Sequence, residues 1–223
     1  MLPGTQNPAP QAEKLLHALN DLVAAGLIDS ERIGYVASGI YLHGQSIANL
    51  LARVDGALAS AEAQSGLAWC RADSDGEQRA TSNADWKKLL DGAIQSQRLR
   101  LIDFPVAGNA GQLLHFECPL RLQTTEDGEW LTAGSFMPMA SRLSMTTELD
   151  LAAARLALER IAAGAPAVAV NLSGESILDA SFRARLFAQV AARKDLAPRL
   201  WLEVSEIGAF QHFDEFHAFC DAL

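Results

Sequence analysis

The sequence is poor in what several common functions require. It holds three cysteines in 223 residues, Cys70, Cys118 and Cys220, an odd number with no CxxC spacing. Neither a disulfide framework nor a zinc knuckle is written in it, and a reducing, cytoplasmic setting is expected. Positive charge is scarce, with 18 Lys and Arg against 27 Asp and Glu and a net charge of -9. That balance works against attraction to a nucleic-acid polymer or an anionic lipid surface. A phosphate ligand would need a local cationic pocket. The most apolar region, Leu149 to Leu172, is interrupted by Asp150, Arg155, Glu159, Arg160 and Pro166, so no run reaches the roughly 18 residues of a membrane helix. The first residues have neither the basic leader nor the apolar segment of a signal peptide. No GxSxG elbow, P-loop or Rossmann glycine pattern occurs. The histidines His17, His43, His115, His212 and His217 form no HExxH signature and read as surface or packing residues.

What remains is an ordinary globular composition, 49% hydrophobic and 20% charged, with a mean hydropathy of +0.07. At about 100 to 200 residues per domain the length allows one large domain or two small ones. Leu15, Leu19, Leu22 and Val23 recur at helical spacing over 11–25, and Gly26 stops the pattern. Residues 32–42 are β-branched and aromatic and read as a strand running into a turn at His43-Gly44. Ser46 then caps a helix from Ile47 to about Ser65, ended by Gly66. Residues 71–85 carry almost no large apolar side chain and read as a linker between a first unit, 1–70, and a second, 86–223.

In the second unit the pattern predicts a helix over 86–96, strands over 99–104 and 112–122, and a loop around 124–129. A long helix over 147–163, a strand over 167–172, a helix over 175–192, a strand over 200–204 and a helix from about Phe210 follow. Alternating strands and helices predict an α/β fold with a parallel sheet and crossovers. The runs AVAVNL and LWLEV are continuously apolar, as strands covered on both faces are.

Polar residues at the C-terminal ends of such strands are the informative ones, because barrels and open parallel sheets build their sites there. Glu117, Asn171 and Glu203 qualify. An oxygen donor inside an apolar strand is costly to bury without a partner, and a shared cation would rationalise all three. Two carboxylates and an amide oxygen suit Mg²⁺, Mn²⁺ or Ca²⁺ better than zinc. The alternative is that Asn171 bonds nearby backbone, Glu203 pairs with an arginine and Glu117 faces water. Arg121 lies four residues after Glu117, which in one extended strand places both on one face. A guanidinium there suits a phosphate; an ordinary strand-end arginine is the alternative.

Glu117-Cys-Pro-Leu-Arg121, Phe136-Met-Pro-Met-Ala140, Val170-Asn-Leu-Ser173 and Leu200-Trp-Leu-Glu-Val-Ser-Glu206 occur in this order. Together they resemble the EAL family of cyclic di-GMP phosphodiesterases and receptors. The resemblance implies a modified TIM barrel in which Glu117, Asn171 and Glu203 match metal ligands and Arg121 matches a ligand-phosphate contact. Glu206 matches a glutamate that steadies a loop beside the ligand. It also implies Mg²⁺ or Mn²⁺ as the working ion, Ca²⁺ as an inhibitory one, and cyclic di-GMP as the partner. The stretches beginning Arg32-Ile-Gly-Tyr and Leu51-Ala-Arg-Val resemble the closing strand and helix of a GGDEF domain, the usual partner fused ahead of EAL.

The departures shape the expectation. Cys118 and Pro119 replace the alanine and leucine of the EAL name motif, Asp103-Phe-Pro105 stands for its Tyr-Gln-Pro, and Ser141 replaces a glutamate. The GGDEF loop itself and the family's later aspartates and lysine have no counterpart, and residues 92–223 fall well short of the about 250 residues of a TIM barrel. The expectation is therefore a partial EAL-type (βα) TIM-like barrel, preceded by an α/β remnant of a GGDEF domain. Such a chain would descend from a cyclic di-GMP phosphodiesterase but be inactive, within a longer parent whose EAL part binds, or also hydrolyses, cyclic di-GMP; the alternatives are a degenerate receptor that holds the nucleotide without cleaving it and a protein-interaction module. The parent would be membrane-anchored, or the chain would self-associate to cover the open barrel edge.

Overall fold

The computed structural model of the chain describes residues 7–27, 34–41, 46–62, 69–72, 83–205, 209 and 212–223. Two compact units divide the chain, residues 1–88 and 89–223.

In the first unit, α1 (Ala9–Ala24) ends as its sequence prescribes. Gly26 takes φ +67, its N–H bonds the Val23 carbonyl, and the Leu27 N–H reaches back to Leu22. These reciprocal bonds form a Schellman stop, which needs a residue tolerant of the left-handed region. Strand β1 (Val36–Gly39) pairs in parallel with β2 (Trp69–Ala72). Helix α2 (Ile47–Glu62) is the crossover that parallel pairing demands. Strand β2 was not expected: it takes Arg71 and Ala72 out of the segment read as linker. The turn at His43-Gly44, Gly66 and residues 73–82 lie outside the described residues.

Helix α3 (Asn83–Gln95) carries the boundary between the units and buries Leu90 and Ala93 in the second. The run read as one strand over 99–104 is two, β3 (Leu99–Leu101) and β4 (Phe104–Ala107). The run over 112–122 also divides, into β5 (Leu113–Glu117) and β6 (Leu120–Gln123). The physical reason lies in Cys118-Pro119. The Cys118 N–H still bonds the Ala169 carbonyl, but proline has no N–H to continue a ladder, and the chain leaves one sheet for another.

Strand β6 is the centre of an antiparallel sheet between β3 and β7 (Trp130–Thr132). Leu99, Leu101, Leu120, Leu122 and Leu131 are its buried face. Strand β5 belongs to a four-stranded sheet in the order β4-β5-β8-β9, with β8 (Val168–Leu172) and β9 (Leu200–Val204) parallel to it. This sheet and its helices are the α/β fold that the alternation predicted, and the TIM-like barrel fragment that the resemblance implied.

Helix α4 (Ala133–Arg142), with Pro138 inside it, was missed as an element of its own. Helix α5 (Thr146–Ala162) ends at Gly164, whose φ of +109 turns the chain towards β8. The helix expected over 175–192 is two, α6 (Gly174–Leu178) and α7 (Ala180–Ala191), because the Asp179 Oδ1 accepts from the Phe182 N–H at 2.7 Å and starts a new helix. Helix α8 (Phe213–Ala222) closes the described chain. Leu151, Ala154, Leu172, Ile177, Phe182, Leu186 and Phe219 form one core between α5, α7, α8 and the outer face of the sheet. Among the described residues no helix is long and apolar enough to cross a membrane.

Candidate functional site

Register decides which side chains share a face. Glu117 lies opposite Ala169, and Asn171 lies opposite Glu203. Partners in a parallel pair point the same way and alternate residues return to the same side. Glu117, Asn171 and Glu203 therefore stand on one face of three adjacent strands, at or next to their C-terminal ends. Leu172, Leu202 and Val204 point the other way, into or against the helix-covered core.

Asn171 is the exposed position in an otherwise buried strand, and Glu117 is exposed. No arginine pairs with Glu203 among the described residues; its neighbour is His115, whose Nε2 lies 4.0 Å from the Glu203 Oε1. His115, expected as surface or packing, is only 8% exposed. It sits two residues before Glu117 on the same face, and its ring stacks on Trp201 at 4.5 Å and 24°. The small side chain of Ala169, between β5 and β9 on this face, leaves room for the two rings to meet. Trp201 itself is 48% exposed, so the expectation that β9 is covered on both faces fails.

Two carboxylates and an amide oxygen share one open face, a donor set of the kind hard divalent cations take. Among the described residues no three His, Cys, Asp or Glu side chains form a metal cluster; the third oxygen donor here is an amide.

Arg121 is not where even spacing put it. It lies on β6, in the other sheet, beside Arg100 and Thr132. Arg100 is held over the Trp130 ring at 3.8 Å, a cation–π contact. Arg121 is partly exposed on the face opposite the leucines. Glu206 lies outside the described residues.

Two networks brace this region. The Asp150 Oδ2, on α5, accepts from the Ser173 N–H at 2.8 Å, the Ser173 hydroxyl at 2.6 Å and the Ser176 hydroxyl at 2.7 Å. It fixes the turn that directly follows Asn171. Burial pushes the Asp150 carboxyl above the usual aspartate range, although these three bonds favour its charged form. Glu175, in the same turn, accepts from Ser141 and Thr146, so a carboxylate from α6 ties the end of α4 to the start of α5.

At the strand break, the Cys118 thiol donates to the Asp103 Oδ1 at 3.2 Å, and Arg160 pairs with the Asp103 carboxylate. Burial, with the Asp103 contact, pushes the Cys118 thiol up to about 12. In the sequence Asp150 is an interruption of an apolar run, and the signal of its role is the serine pair three residues apart after the strand, Ser173 and Ser176. His115 gave no signal of its own.

The EAL domain model matches residues 88–223. Among curated proteins, the RNase E specificity factor CsrD of Escherichia coli (strain K12) is 21% identical over 207 residues, covering 90% of this chain and 31% of that protein. Vibrio cholerae LapD S helix-GGDEF-EAL, bound to c-di-GMP, is similar with a TM-score of 0.79 at 20% identity, over 99% of this chain and 53% of that one. The Xanthomonas citri FimX EAL domain in complex with c-diGMP is similar with a TM-score of 0.54 at 27% identity, over 63% of this chain and 56% of that one. The chain thus spans about a third of the curated relative's length and about half of these solved chains. With a family match over most of its length, beginning where the second compact unit begins, the chain belongs to the EAL domain family.

Proposed function

We propose that the second unit binds cyclic di-GMP and does so as a receptor surface rather than as a hydrolase. The observation that carries this reading is the shared face of Glu117, Asn171 and Glu203 at the ends of three neighbouring strands. The similar FimX EAL domain, 27% identical, is described in complex with c-diGMP. Glu117, Asn171 and Glu203 would hold a divalent cation, Mg²⁺ or Mn²⁺ with Ca²⁺ as an inhibitory substitute, and that charge would neutralise a phosphodiester oxygen. Arg121, which stands on β6 in the other sheet and matches the family's ligand-phosphate contact, would supply a planar guanidinium for a second phosphate oxygen. Asp150 holds the turn that follows Asn171. Glu206 is read as steadying a loop beside the ligand. Cys118 and Pro119 in the name motif and Phe104 beside it, where the resemblance has other residues, favour binding over turnover.

The first unit is read as a GGDEF-like remnant over 1–70, joined by a linker over 71–85. Its support is the parallel strand pair with a helical crossover and the likeness of almost the whole chain to a GGDEF-EAL structure. A cytoplasmic location, self-association through the open barrel edge and a membrane-anchored parent belong to the same proposal.

The test is isothermal titration of cyclic di-GMP into the 223-residue chain with Ca²⁺ present, repeated on Arg121→Ala and Glu117→Gln. Saturable heat is expected from the unchanged chain. Both variants should weaken binding by about tenfold or more, the loss of one charge-assisted contact. Replacing Ca²⁺ with Mg²⁺ should yield no linear dinucleotide. Absence of heat from a folded chain overturns the reading, and linear product overturns the receptor assignment.

A further inference from the structure

We infer that Arg100 and Arg121 form one two-guanidinium clamp on a phosphate group, with Arg100 as a second contact beside Arg121. The inference rests on the reading of Arg121 as a phosphate contact, and it adds a residue outside the motifs that carry the family resemblance.

Register brings the two charges together. Arg100 and Arg121 are direct partners across β3 and β6, so both project from the face opposite the buried leucines. Directly opposed side chains start about 4.5 to 5.5 Å apart at Cβ, and like charges there are destabilising. The chain has a formal net charge of -9, so acids to neutralise them are plentiful. Yet among the described residues no carboxylate pairs with either guanidinium.

The uncharged neighbours on this face are occupied elsewhere. The Gln123 Nε2 donates to the Glu126 carbonyl at 2.8 Å and the Gly128 carbonyl at 3.2 Å. The Thr132 and Ser135 hydroxyls bond each other at 2.9 Å. Arg98, just before β3, donates to the Gln123 carbonyl and adds a third positive charge. Trp130 holds Arg100 at 3.8 Å from its ring centroid. That contact fixes the guanidinium without neutralising it, so less side-chain freedom is lost when an anion binds.

An anion between the two arginines would remove the repulsion. Phosphate oxygens accept charge-assisted bonds from planar guanidinium groups, and two such groups can divide the oxygens of one phosphate between them. The phosphate can be the phosphodiester of cyclic di-GMP or free inorganic phosphate, and two experimental arms separate these sources.

In the first arm, cyclic di-GMP is titrated by calorimetry, with Ca²⁺ present, into the 223-residue chain, Arg100→Gln and Arg121→Gln. In the second, inorganic phosphate is added to the same three proteins at constant ionic strength and the urea midpoint is read. Phosphate strengthens burial in proteins generally by exclusion from their surface, so this arm is read as a difference between chain and variant. Midpoints without phosphate check that both variants are folded. Arg100→Gln is expected to weaken nucleotide binding by about tenfold, as Arg121→Gln does, the loss of one charge-assisted contact. Phosphate is expected to raise the midpoint of the unchanged chain more than that of either variant. If Arg121→Gln weakens nucleotide binding while Arg100→Gln changes it by less than about twofold, the reading of Arg121 stands and the inference falls. If the folded chain takes up no nucleotide but phosphate protects it more than both variants, the cyclic di-GMP reading falls and the arginine clamp stands. If it takes up no nucleotide and phosphate acts equally on all three proteins, both fall.

Discussion

The two faces of the β5-β8-β9 sheet are built from the same short stretches of chain, yet they do opposite things. On the helix side, Val168 and Val170 are fully buried and Leu172 joins Phe182, Leu186 and Phe219 in a closed core. On the other side, Trp201 is 48% and Phe104 49% exposed, and Glu117 and Asn171 stand open. Period-two alternation lets one strand serve both purposes, since neighbouring residues never share a face. The helix side holds stability, and the open side can change its chemistry at little cost in stability. The Trp201-His115 stack lies on the open side, away from the leucine and phenylalanine core.

The largest expected effect tests the closed face. Phe182 is 1% exposed and sits at the centre of that core. Phe182→Ala should destabilise the second unit by about 3 to 5 kcal/mol, transfer loss plus cavity, read from the urea midpoint. A cost below about 1 kcal/mol would mean that the core is loosely packed and that the contrast between the faces is false.

Next comes the residue that ties the faces together. Asp150 stands among core residues of α5 yet serves the turn after Asn171, and burial raises its carboxyl above the ordinary aspartate value of 3.8. The sign follows from proton counts. Between the ordinary value and the raised one, the folded chain binds more protons than the unfolded chain, so stability is greatest at low pH and falls as pH rises through that window. Asp150→Asn should remove this slope, because it keeps an oxygen acceptor but cannot titrate. Unfolding followed from pH 4 upward in both proteins measures it. An unchanged slope in the variant would assign the pH dependence to other groups.

How far the chain can be read without coordinates follows the same division. Asn171 stood out because an amide inside Val-Ala-Val-Asn-Leu has no apolar reason to be there, and the structure gives it the exposed position of its strand. Glu203 stood out in the same way in Leu-Trp-Leu-Glu-Val. The break after Glu117 was legible in Pro119, which cannot donate to a ladder, but unbroken hydrophobicity concealed it and so placed Arg121 on the wrong strand. His115 could not be read at all. It occupies a position of period-two burial that any apolar residue could fill, and only the register across Ala169 brings it to Trp201 and Glu203. Long-range pairing of this kind leaves no local trace in composition or spacing.

The smallest effect sharpens the comparison most. Trp201 is a large side chain, and on a closed face its truncation would cost as much as that of Phe182. Half exposed and stacked on one ring, it should lose only the stack and partial burial, about 1 kcal/mol in Trp201→Ala. The measurement is the urea midpoint of chain and variant at two widely separated protein concentrations. A small, concentration-independent loss confirms that this face is open in the single chain. A loss approaching that of Phe182→Ala, and growing with concentration, would show that a second copy covers the face, because association stabilises by mass action and makes apparent stability depend on protomer concentration. The open face would then be an interface, and the exposed Trp201 and Phe104 its apolar centre.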